Sequence, residues 1–111
     1  MALKEGMKIL ESVEQFEEYY KKEGVVIFTF SANWCPDCRF IEPFMPKLVE
    51  KYSDYDFVYI DRDKFIDLAI GLQIMGIPSF VAVKNGKEEG RFVSKLRKTE
   101  KEIDEFLGAV R

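Results

Sequence analysis

Two thiols set three positions apart can carry out a reaction that neither completes alone. Both cysteines of the chain, Cys35 and Cys38, lie in the stretch "SANWCPDCRF". An apolar run precedes them and a helical pattern follows, so the spacing predicts Cys35 at a helix N-cap and Cys38 one turn inside. Residues three apart at a helix start are neighbours. The unpaired amides there, and the positive end of the helix dipole, favour a thiolate over a thiol. The dipole contributes roughly 0.3–2 kcal/mol, enough for moderate activation only. Asp37 pushes the other way where its carboxylate lies close. In a redox reading, Cys35 attacks a disulfide and forms a mixed disulfide; Cys38 then attacks Cys35 and expels the reduced product. Two other readings of the pair stay open: half of a metal or cluster site shared by two chains, and two inert structural thiols.

The chain has no histidine. That removes Cys-His nucleophilic catalysis and histidine metal sites. A four-ligand zinc site would need carboxylates beside the thiolates, or a second chain. The net charge of −3 argues against nucleic acid, which calls for a clustered basic face. No apolar run approaches the roughly 20 residues of a membrane span, so no membrane partner is expected. The opening "MALKEGMKILESVEQF" lacks an apolar stretch of signal-peptide length, and the expected location is cytoplasmic. The acidic run Glu14, Glu17, Glu18 and the basic group Lys95, Arg97, Lys98 read as solvated faces. Steering of a partner is the alternative for the basic group.

The elements that must position the cysteines follow from patterning. The length of 111 residues suits one domain over residues 1–111, and 47% apolar with 33% charged residues reads as globular. Ser12 with Gln15 has capping-box spacing at a helix start, and Gly24 reads as its stop. "VVIFTF" reads as a strand buried on both faces. A helix is expected from about Pro36 to Tyr52, kinked at Pro43. "DFVYID" is a second core strand, "DKFIDLAIGL" a short helix, and "SFVAVKNGKEEGRFVS" two strands around Asn85-Gly86. Thr99 and Glu102 form another capping box, before a helix with Ile103, Phe106 and Leu107 on one stripe. With "MKILES" as a first strand, the order predicts an α/β domain with a mixed central sheet and helices on both faces. Phe28, Phe30 and Phe40 are expected in the core. Met75 reads equally as a groove contact or as filler.

"WCPDC" after a buried strand, "GIPSF" further on and "KNG" in a closing hairpin resemble the thioredoxin family, from about Ser12 to Val110. Trp34, Cys35 and Cys38 match the family's Trp-Cys-X-X-Cys, and Pro43 its kink proline. Pro78 matches the family's cis proline opposite the cysteines. The resemblance implies a thioredoxin-like fold and a dithiol–disulfide oxidoreductase working mostly as a reductase. It implies that Ile77 offers its backbone to a bound substrate strand, beside Pro78 and Trp34. No cofactor is implied. Electrons would come from a partner, a flavoprotein reductase or a low-molecular-weight thiol, and substrates would be disulfide-containing proteins or small molecules. A monomer is expected.

The chain departs from the family between and beneath its sulfurs. Typical thioredoxins carry Gly-Pro where this chain has Pro36-Asp37, expected to tune the sulfurs. Cytosolic thioredoxin-related proteins share Cys-Pro-Asp-Cys and tend to act on fewer substrates. The aspartate that thioredoxins bury beneath the second cysteine is Thr29 here, and a nearby lysine is Phe57. Thr29 is no base near neutral pH, so slow resolution of the mixed disulfide is expected. The resemblance leaves two rival functions standing: the shared metal or cluster site, and a non-catalytic module that only binds peptides.

Overall fold

The computed structural model describes residues 4–111. In chain order the elements are β1 (Lys8–Ile9), α1 (Val13–Lys21), β2 (Val25–Ser31), α2 (Pro36–Ile41), α3 (Met45–Lys51), β3 (Asp56–Asp61), α4 (Ile66–Gly71), β4 (Ser79–Lys84), β5 (Lys87–Phe92) and α5 (Glu100–Val110). They build a five-stranded sheet in the order β1-β3-β2-β4-β5. The central strand, β2, runs parallel to β3 and antiparallel to β4. Every residue of β2 is buried, as its unbroken apolar run predicts.

Strand residues alternate between faces, and so do their partners. Val26, Phe28 and Phe30 pack with Phe16 of α1 and Ala69 of α4. Ile27, with Phe57, Tyr59 and Phe80, packs on the other side against Ile41, Met45, Leu48, Ile103 and Leu107. Cys35 and Cys38 belong to this second cluster. By alternation, Thr29 and Ser31 turn toward the cysteine side.

The long helix expected from Pro36 to Tyr52 is interrupted, not merely kinked. α2 ends at Ile41 and α3 starts at Met45. Pro43 lacks the amide that would continue the ladder, and Pro46, in the first turn of α3, suits a new start. Cys38, Ile41 and Met45 hold the stripe that faces the sheet, which leaves Phe40 pointing away. Phe40 is 42% exposed, against the expectation of a core residue. Its ring lies edge-on to Phe44 and under the Arg97 guanidinium.

Two caps differ in an instructive way. At α5 the box is reciprocal: Glu102 N–H donates to Thr99 Oγ1 at 3.2 Å, and Thr99 N–H to Glu102 Oε1 at 3.0 Å. At α1, Ser12 Oγ accepts from Gln15 N–H at 3.2 Å, but Gln15 Oε1 accepts from Glu11 N–H instead of Ser12. Asn85 and Gly86 both adopt positive φ (52° and 81°), the geometry a two-residue hairpin turn requires. The Asn85 side chain also accepts from Gly24 N–H at 2.8 Å, joining the hairpin to the start of β2. No described helix is long and apolar enough to cross a membrane.

Replacing Thr99 by Ala removes the acceptor at the start of α5 and should lower stability by about 1 kcal/mol in urea unfolding, whereas Thr99→Ser should leave it nearly unchanged.

Candidate active site

β2 and β3 are parallel, so the loops after them leave the same sheet edge. The link is direct: Arg62 N–H donates to the Ser31 carbonyl at 2.8 Å. From that edge the chain turns through Asn33, whose carbonyl accepts both Arg39 Nε and Nη2, at 3.2 and 3.1 Å. Asn33 thereby shapes the loop through its backbone. Cys35 follows in extended geometry as the N-cap of α2, with Pro36 in the first turn giving up an amide the helix does not need.

The Cys35 sulfur is the capping atom. It accepts from Cys38 N–H at 3.2 Å, and as a thiol it donates to the Ile77 carbonyl at 3.6 Å. The Ile77–Pro78 peptide bond is cis. The pair is in the dithiol state. Cys35 lines a shallow groove of about 320 Å³, together with Trp34, Pro36, Arg62, Met75 and Ile77. Cys38 does not reach that groove and is 1% exposed. Burial, then the bond to Cys35, pushes the Cys38 thiol up to about 12; the nearby Ser31 hydroxyl and the Ala32 backbone pull the other way. Cys38 is therefore a protonated thiol at neutral pH.

The surroundings correct several expectations. Asp37 is not a lone charge between the sulfurs: its Oδ1 accepts from Arg97 Nε at 2.8 Å, so it acts as half of an ion pair. Trp34 is 55% exposed, on the groove side as expected, and its Nε1 donates to Asp63 Oδ2 at 2.6 Å. Met75 is exposed at the groove, not filler. Thr29 Oγ1 and Ser31 Oγ are buried without a hydrogen-bond partner among the described residues. Lys95 and Arg97 are exposed, but Lys98 is buried, against the reading of all three as a solvated face. Sequence reasoning missed Arg62 and Asp63, and named Arg97 only within a basic group, not as the partner of Asp37. The charged run "DRD" straight after a core strand was the available signal for the first two; the Arg97 pairing gave none, because its partner lies 60 positions away.

The comparisons with known proteins agree with this geometry. The thioredoxin family model matches residues 7–109. The chain belongs to the thioredoxin family. It is 36% identical to thioredoxin from Rattus norvegicus over 103 residues, covering 90% of this chain and 98% of that one. It is also 36% identical to thioredoxin H2 from Arabidopsis thaliana, over 82% of this chain and 69% of that protein. Thioredoxin from Trypanosoma brucei brucei superposes with a TM-score of 0.84 at 22% identity, over 94% of this chain and 89% of that one, a likeness of fold. With its Cys-x-x-Cys pair in the thioredoxin setting, the chain is a thiol–disulfide oxidoreductase. A shared metal or cluster site and a non-catalytic module are not favoured, and no three His, Cys, Asp or Glu side chains gather as metal ligands among the described residues.

The bond from the single tryptophan, Trp34, holds the Asp63 carboxyl below its ordinary value, with Arg62 assisting. A depressed carboxyl keeps its contribution above the unfolded value and loses it as pH falls through the folded one. Trp34 fluorescence should therefore stay level from neutral pH and change only below about pH 3.9, the ordinary aspartate value. Asp63→Asn should abolish that acid step; a step that persists would separate it from Asp63.

Proposed function

We propose that this thioredoxin-family chain reduces protein or small-molecule disulfides, with Cys35 as nucleophile and Cys38 as resolving thiol. The observation that supports the division of labour is that Cys35, although only 3% exposed, lines the groove while Cys38 does not, and that the Cys38 amide donates to the Cys35 sulfur.

The steps balance as follows. The Cys35 thiolate attacks one sulfur of the substrate disulfide. That S–S bond breaks, and the leaving sulfur takes the electron pair and a proton from water. Cys38 then loses its proton, and its thiolate attacks Cys35 Sγ. The second substrate sulfur leaves with its pair and is protonated. The substrate has gained two electrons and two protons, and the pair has become a disulfide. Trp34 and Ile77 form the substrate contact, with Pro78 buried next to Ile77: the half-buried Ile77 segment offers a backbone edge and the indole an apolar rim. Pro36 and Asp37 tune the sulfurs, Asp37 through its pairing with Arg97. A reductase or a low-molecular-weight thiol reopens the Cys35–Cys38 bridge, which places the chain in electron transfer to substrate disulfides. It works as a single-domain monomer in the cytoplasm, with neither nucleic acid nor membrane as partner.

Cys38→Ser should stall at a mixed disulfide through Cys35, visible as an adduct by mass spectrometry with a synthetic disulfide peptide. Cys35→Ser should form no such adduct, and its turnover should fall by about a hundredfold or more. An adduct of equal yield on Cys35→Ser would reverse the assignment.

A further inference from the structure

The chain carries more acids than bases, 20 against 17, yet the groove beside Cys35 has the opposite balance. Of the residues that line it, Asp37 is the only acid, whereas Arg62 and Lys95 are bases. An incoming substrate meets whichever of these groups still has bonding capacity. Asp37 accepts from Arg97 Nε at 2.8 Å, so its charge is answered. Asp63, next to Arg62 in the chain, has both oxygens engaged: Oδ2 by Trp34 Nε1 at 2.6 Å and Oδ1 by Arg62 Nε at 3.0 Å. The acids around the groove are therefore occupied.

The bases are held in place but not used up. The Arg62 guanidinium is fixed by Asp63 and by the Trp34 ring, whose centre lies 5.6 Å away. Neither of its Nη atoms has a hydrogen-bond acceptor among the described residues. Such a fork fits a carboxylate with two parallel bonds. Its side chain is only 28% exposed, so much of its ordering is complete before a substrate arrives. Lys95 is anchored by its backbone. A Cβ placed on Gly76 would stand 3.0 Å from Lys95 Cα, and Gly76 directly precedes Ile77, whose carbonyl accepts a hydrogen bond from the Cys35 thiol. Two positions further on, Arg97 fastens the same segment to Asp37. Between these anchors the Lys95 side chain is exposed, and its ammonium has no ion-pair partner among the described residues.

We propose that Arg62 and Lys95 are specificity-determining residues, and that the preferred substrate is a protein disulfide flanked by acidic side chains. The proposal rests on the reductase reading above and names its substrate class. The occupant is an extended peptide, because the two bases share one groove with the Ile77 backbone edge, the Trp34 indole and the exposed Met75. A strand laid along Ile77 presents successive side chains to opposite sides. Apolar side chains then meet Trp34 and Met75, and carboxylates meet the free donors of Arg62 and Lys95. Opposite charge speeds encounter and holds register, while like charge rejects basic segments.

Three synthetic peptides test this, each with the same internal disulfide flanked by glutamates, glutamines or lysines. Each is mixed with the pre-reduced protein in single turnover, and its second-order rate is divided by its rate with dithiothreitol. That division removes the effect of neighbouring charge on the disulfide itself. At low ionic strength the glutamate peptide should react about tenfold faster than the glutamine peptide, with the lysine peptide slowest, and high ionic strength should close the gap. Lys95→Glu should erase the preference for glutamate, Arg62→Gln should cut it to about threefold, and Lys95→Arg should keep it. Equal normalised rates for the three peptides, or a preference that survives Lys95→Glu, overturn the proposal. Glutathione disulfide, which carries carboxylates on a short chain, should react more slowly than the glutamate peptide; an equal or faster rate overturns the choice of a peptide. Reduction of none of these disulfides overturns the reductase reading itself, a failure distinct from equal reduction of all three peptides.

Discussion

A single hydrogen bond, from the Cys38 amide to the Cys35 sulfur, organises the site. A helix leaves its first amides without carbonyl partners, and they accept whatever acceptor the chain supplies. Here that acceptor is the Cys35 sulfur, the nucleophile of the proposed reaction. The same bond that starts α2 places the second sulfur one turn away, so capping and chemistry share one geometry. Pro36 keeps the first turn free of a surplus donor, and the buried β2 strand fixes where the turn begins. On the far side of Cys35, the Ile77 carbonyl accepts a hydrogen bond from the thiol, so the sulfur is held from both sides.

From that bond follows an asymmetry between chemically identical side chains. Cys35 faces the groove and Cys38 faces the sheet. Burial pushes the Cys38 thiol up to about 12. The segment after β5 adds charge to this arrangement, with the exposed Arg97 pairing with Asp37 and the buried Lys98 donating to the Ser94 and Leu96 carbonyls. Arg62, from the loop after β3, and Lys95 line the groove together with Cys35.

Most of this was legible where local rules act alone. The unbroken apolar run of β2, the Asn85-Gly86 turn, the Thr99-Glu102 box and the position of Cys35 at a helix start all follow from short-range chemistry, and the structure bears them out. Expectations failed where a distant residue decides the outcome. Phe40 is apolar, yet the helix stripe that begins at Cys38 turns it outward, and Arg97 covers it from across the chain. Lys98 sits in a basic run that any local reading assigns to solvent; only the fold of the loop onto Gly76 encloses it. Pro46 was a readable sign that the helix starts anew, overshadowed by Pro43 three positions earlier. Gln15 missed its expected partner by one residue, since its side chain reaches the Glu11 amide as easily as that of Ser12.

The most direct test of the account is the fate of the two sulfurs under mild oxidation. Mass spectrometry of the intact protein should show a monomer lighter by two hydrogen atoms, with Cys35 joined to Cys38, and dithiothreitol should restore the original mass. A protein that stays fully reduced, that links two chains through these cysteines, or that forms a bridge no thiol reopens would contradict it.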